Sequence, residues 1–204
     1  MKARLLSYAA TFCAAIFLLT SCQKDSGSAD YLTESSTHSD DQNRFSGEVD
    51  AAANDINTVL ETTAGFPGRG EDIQIICDAT VAVDTLSDPR TITITFNGTN
   101  CLGNRTRTGV IIVSMAQGVR WINAGAQLNV TFQNFKITRL SDNKSITING
   151  TQTHTNVSGG LLINLAALNS ITHSISSSNM SVTFDNNSQR NWQVARQRLF
   201  TYNS

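Results

Sequence analysis

The chain has 204 residues, a formal net charge of −1 and only 15% charged residues. A balance so close to neutral gives no electrostatic footprint for nucleic acid, and no partner of that class is expected. Less an export segment and a linker, the length leaves about 160 residues, enough for one domain with one core.

The first predicted element is an export signal over residues 1–21. Lys2 and Arg4 make a positive start, and Ala9 to Leu19 is almost wholly apolar. That run is too short to span a bilayer, which takes about 20 residues as a helix. Leu19-Thr20-Ser21-Cys22 follows at once and resembles the lipobox of bacterial lipoproteins. Small residues suit the signal peptidase, and the Cys22 thiol is the acceptor for diacylglycerol. Two or more acyl chains anchor a protein stably where one does so only marginally. The mature chain is therefore expected to attach to the membrane through its lipid, without a spanning segment.

Cys22-Gln23-Lys24-Asp25 is similar to the surface-export signal of Bacteroidota lipoproteins. It implies an outer-membrane anchor with display at the cell surface; a periplasm-facing protein is the alternative. Residues 22–45 are read as the lipidated cysteine and a polar tether. They are rich in Ser, Asp and Thr and lack an apolar period. A coil of that length typically reaches about 25 Å.

Residues 46–204 are read as one β-rich domain opened by a helix over 46–60. Val49, Ala52, Ile56, Val59 and Leu60 recur at spacings of three and four, which puts them on one face. Ser46 is a candidate cap. Gly65 to Gly70 breaks the helix. It follows a helix and precedes a strand, the reverse of the order a phosphate loop needs. From Ile73 the period becomes two. The run through Cys77, Ala79, Val81 and Val83, a turn at Ser87-Asp88-Pro89, and Ile92, Ile94 and Phe96 form a hairpin pattern. Val110 to Met115 is a central strand. Leu128, Val130 and Phe132 lose phase with Phe135 and Ile137, which a bulge at Gln133-Asn134 would restore. Ser141-Asp142-Asn143 and Asp185-Asn186-Asn187 are turns. Leu161 to Leu168 is an apolar segment of open type. Trp192, Val194, Phe200 and Tyr202 share parity at the end. The last strand pattern runs to Ser204 without a closing turn, which fits either a fold ending on a strand or a truncated product. The fold class is mainly β: an antiparallel meander forming a sandwich or a curved, barrel-like sheet, with one short N-terminal helix.

Cys13 leaves with the signal and Cys22 is acylated, so Cys77 and Cys101 remain in an oxidising compartment. With the turn centred near Ser87-Asp88, the residue opposite Cys77 is Asn97 or Gly98, and Cys101 lies just beyond. A Cys77–Cys101 disulfide is expected. It would close a loop worth roughly 3 kcal/mol on the chain-entropy argument. A metal is not expected, because no third or fourth ligand is spaced nearby.

Thr91-Ile92-Thr93-Ile94-Thr95-Phe96, Cys101 to Gly109 leading into Val110-Ile111-Ile112-Val113, Asn129 to Phe135 and Gly150-Thr151-Gln152-Thr153 together resemble a family of Bacteroidota lipoproteins with no assigned activity. The resemblance covers about residues 46–200. It implies the same export route and a β fold, and it brings no catalytic residue and no cofactor.

No catalytic motif assembles. Ser141-Asp142-Asn143-Lys144 holds two fragments familiar from penicillin-recognising enzymes, but they overlap in one turn. His38 falls in the tether, and His154 and His173 on polar strand stretches are read as solvent-facing. Asp84-Thr85-Leu86 fits a short O-glycosylation pattern. Arg105 with Arg107, and Arg196 with Arg198, each share a strand face that could meet an anionic glycan or a phosphate headgroup, or balance acids on a solvated sheet. Trp121 either stacks on a sugar or caps the core. The expected function is a non-enzymatic envelope module for binding or structure, with a glycan or another envelope component as partner. The alternatives are a lipid or lipoprotein carrier with an apolar cavity in a curved sheet, and a hydrolase with a dispersed site.

Overall fold

The computed structural model of the chain describes residues 28–63, 66 and 76–203. Cys22, the export signal and most of the 65–70 stretch lie outside the described residues. Helix α1 spans Ser28–Thr62, so it starts well before the amphipathic stretch read from the sequence. Ser46 is therefore an interior residue and not a cap. The physical reason lies in helix cooperativity: once a packed turn is nucleated, extension adds one hydrogen bond per residue fixed and needs no apolar stripe. The chain divides into two compact units after Arg44, and the second, Phe45–Ser204, holds the sheet and its core.

Seven antiparallel strands form one sheet: β1 (Ala79–Asp84), β2 (Arg90–Thr99), β3 (Arg105–Met115), β4 (Ala126–Arg139), β5 (Ser145–Asn156), β6 (Ser170–Phe184) and β7 (Gln189–Thr201). Their spatial order is their chain order, and the sheet does not close. The mainly-β meander with an N-terminal helix is thus the fold, as one open sheet. The apolar segment after β5 forms a 3₁₀ turn, Leu162–Asn164, and a short helix α2, Leu165–Leu168.

Strand alternation decides what is buried. Ile92, Ile94 and Phe96 on β2 face Val49, Ala52, Ile56, Val59 and Leu60 of α1 across one core, which also takes Ile111, Val113, Val130, Phe132 and Ile148. Phe45 stacks on Trp192 of β7 at 4.7 Å between ring centroids. The lost phase on β4 is a bulge: pairing with β5 jumps between Phe132 and Phe135, and Asn134 takes φ 48°. Gly109 crosses there with φ +100°, and a Cβ on it would lie 2.2 Å from the Asn134 carbonyl oxygen, so only glycine fits. Further bulges at Gly150/Thr153 and Ser177/Met180 continue this line across the sheet. Each adds local twist.

The Cys77–Cys101 disulfide is present, with the two Cα atoms 5.3 Å apart. The β1–β2 pairing runs to Ala79↔Phe96, and the Asn97 amide donates to the Asp78 carbonyl at 2.8 Å, which brings Cys77 to the end of β2 beside the bend that carries Cys101.

Candidate functional site

Three polar regions stand out, and the four arginines singled out in the sequence fall in two of them. Arg105 and Arg107 do share a face of β3, but it is the inward one. Arg107 clamps Asp78 with two bonds: Nε donates to Oδ2 at 2.7 Å and Nη2 to Oδ1 at 2.6 Å. Its Nη1 donates to Asp55 of α1 at 2.5 Å, and its guanidinium lies 4.6 Å from the centre of the Phe96 ring. Arg105 Nε donates to Glu48 of α1 at 2.9 Å. These pairs line a cleft of about 260 Å³ beside Cys101. Burial opposes the Arg107 charge, and the Asp78 and Asp55 carboxylates more than offset it. Burial also raises the Asp55 pKa despite the neighbouring arginine.

The second region lies under α1 towards the β7 edge of the sheet. Arg196 and Arg198 share the inward face of β7. Asp50 of α1 sits 2.9 Å from Arg196 Nη2 and 3.7 Å from Arg198 Nε. Asn54 Oδ1 accepts from Arg198 Nη2 at 2.8 Å. Pairing carries this region inward: Arg198 is opposite His173 on β6, which is opposite Asn156 on β5, while Arg196 is opposite Ile175, which is opposite His154. His154 and His173 are buried, against the solvent-facing reading of the sequence. The cause is parity. His154 and Gln152 sit in phase with Ile146 and Ile148, and His173 with Ile171 and Ile175, so the inward layer itself turns polar here.

His154 Nε2 and Gln152 Oε1 are 3.2 Å apart. Asn156 Nδ2 donates to the carbonyls of Trp121 and Gly160, both at 2.8 Å. The His173 ring meets Trp121 and Phe200 edge-on, each at 5.1 Å. Trp121 is 1% exposed, so it caps the core and presents no indole at the surface. Gln152 Nε2, Asn156 Oδ1, His173 Nε2, Trp121 Nε1 and Arg196 Nε have no hydrogen-bond partner within the protein. Burial pushes the His154 pKa down to about 3, helped by His173, Arg196 and Arg198. Burial and Arg198 push His173 down to about 4.

The third region is the outward face. Its side chains are Thr91, Thr93 and Thr95 on β2; Gln127, Asn129, Thr131 and Gln133 on β4; Thr151, Thr153 and Thr155 on β5. Ser174 and Ser176 on β6 and Asn191, Gln193 and Gln197 on β7 continue it. Val110 and Ile112 of β3 form an aliphatic spot among them, facing Thr95 and Thr93. Cross-strand bonds stiffen the field: Thr131 and Thr151 hydroxyls lie 3.0 Å apart, and Thr153 donates to Asn129 at 3.0 Å. Two depressions, of about 520 and 490 Å³, meet at Thr153. One is bordered by Ser114, Gln127 and Asn129, the other by Thr151, Ser176 and Gln193. Alternation with the core residues marks these positions as outward, but it does not say what they meet.

Asp84-Thr85-Leu86 lies in the exposed β1–β2 turn, where Asp84 Oδ1 accepts from the Leu86 amide at 2.9 Å. The Ser141–Lys144 fragments are the β4–β5 turn, with Asn143 at φ 56°. Among the described residues, no group of three or more His, Cys, Asp or Glu side chains is placed to hold a metal, and no helix is long and apolar enough to cross a membrane. Comparison of the chain with protein-family models, curated proteins and solved structures finds no match.

Proposed function

We propose that the protein is a lipid-anchored binding module of the bacterial cell envelope, of the Bacteroidota lipoprotein type, that holds neutral glycan chains on the outward face of its sheet and catalyses no reaction. The observation that carries this reading is the chemistry of that face. Lys136 is the one ionisable side chain among the outward positions of β2 to β7 between the strand ends. Solvated faces of soluble domains normally mix both signs of charge. A field of hydroxyls and amides offers donors and acceptors together and asks no ion to shed its water. That matches a neutral sugar, whose C–H faces suit the Val110–Ile112 spot. The two depressions joined at Thr153 give an extended track.

The lipid-carrier alternative needs the inward face for its cargo, and α1 covers that face with Val49, Ile56, Val59 and Leu60. The binding reading is tested by affinity electrophoresis of the full chain in gels holding dextran, mannan or an anionic polysaccharide. Retardation by a neutral polymer is expected, and Thr153→Arg abolishes it by placing a long charged chain at the junction. Mobility unchanged in every neutral gel sinks the proposal. The address has its own test. Metabolic palmitate labelling tags the wild type and not Cys22→Ala, and protease applied to intact cells removes the protein; a label that persists in the variant disproves the anchor.

A further inference from the structure

We propose that the seam between α1 and β7 is a binding site for a small oxyanion, a carboxylate or phosphate group, seated between Arg196 and Arg198 at its mouth and the unpartnered donors behind them. The depth gradient gives the seam its direction. The Asp50 side chain is 43% exposed and those of Arg196 and Arg198 are 24% and 19% exposed. Gln152 and Asn156 behind them are fully buried.

Charge and hydrogen bonding both favour an anion. Two guanidinium groups face one carboxylate, Asp50, and the two histidines beside them are neutral, so the layer holds an excess positive charge. Among the unpartnered atoms of the seam the donors outnumber the acceptors: Arg196 Nε and Nη2, Gln152 Nε2 and Trp121 Nε1 donate and His173 Nε2 can serve as a donor, against the acceptors Asp50 Oδ1 and Asn156 Oδ1. Buried polar groups without partners are costly, and a cluster of them calls for an occupant with acceptor oxygens. Asp50 occupies the place such an oxygen would take. It is a carboxylate delivered by α1 onto both arginines, and it competes with any anion from solution.

The test follows the Trp121 indole N–H by NMR in the full chain during titration with inorganic phosphate, with acetate, and with chloride at matched ionic strength. A saturable shift with phosphate or acetate and none with chloride is expected; the stronger of the two identifies the oxyanion. Asp50→Asn removes the competitor and tightens binding by about tenfold, whereas Arg196→Gln loosens it by about tenfold. Should Arg196→Gln fail to fold, the exposed Asp50→Asn change decides. A linear or absent response in both wild type and Asp50→Asn, or an equal response to chloride, overturns the site and leaves the seam to water.

Discussion

Arg107→Ala is expected to lower the stability of the domain by roughly 3–5 kcal/mol, the usual cost of stripping one partner from a buried ion pair. Domains of this size are stable by only about 5–15 kcal/mol, so the variant sits near the edge of folding. The size of the effect comes from what stays behind. The Asp78 side chain is fully buried, and its two oxygens lose both Arg107 bonds at once. Asp55 loses its partner too, and the Phe96 ring loses the cation above it. Arg107 also ties three parts of the chain together: α1 through Asp55, the residue next to Cys77 through Asp78, and β3 itself. Replacing both charges, as Asp78→Leu with Arg107→Met, is expected to recover much of the loss, because apolar groups of similar volume leave no charge stranded. Urea denaturation of the three proteins, with the disulfide intact, measures this. A midpoint for Arg107→Ala within error of the wild type would show that the pair is solvated and holds nothing.

Arg107 also marks where the sequence could be read and where it could not. The strands, the Cys77–Cys101 pairing and the Asn134 bulge follow from the period of two and the hairpin spacing, because burial on one face writes itself into alternation. That Arg105 and Arg107 share a face is legible for the same reason. Which face they share is not, because their partners Glu48, Asp55 and Asp78 are 29 to 57 residues away in the chain. Alternation reports polarity and parity, and a polar residue in parity with the core is normally read as exposed. Arg196 and Arg198 break that rule because α1 brings Asp50 and Asn54 to meet them, and His154 and His173 because Gln152 and the Trp121 and Phe200 rings receive them. Parity with Ile146, Ile148 and Ile171 was the available signal, and it would have placed both histidines inside. The early start of α1 left no signal, since helix extension needs only the absence of breakers.

The buried histidines set the response to acid. Each is neutral in the folded protein, with pKa lowered from 6.5 to about 3 for His154 and about 4 for His173. The unfolded chain takes up these protons near pH 6.5, so below that pH it binds more protons than the native state, and stability rises with pH across this range. The contribution is fully present above about pH 6.5 and is lost as pH falls towards the folded values, with a limiting slope of roughly 1.4 kcal/mol per pH unit for each histidine. At pH 5 the loss is roughly 2 kcal/mol per histidine at most. Burial is the main obstacle to protonation, and nearby cations add to it: Arg198 stands opposite His173, and Arg196 lies two strands from His154 across Ile175, with Asp50 on the two arginines as the nearby carboxylate. Asp55 and Glu61, whose pKa values burial raises, act with the opposite sign. Between about pH 6.5 and 5 the histidines of the unfolded chain take up their protons, and the histidine variant separates their share of this window from that of the carboxylates. Urea midpoints measured across it should fall steeply for the wild type, and His154→Gln should remove close to one proton's worth of slope while His173 keeps the rest. A flat profile in the wild type, or an unchanged slope in the variant, would mean that the layer under α1 admits water freely and that neither ring is held neutral by burial.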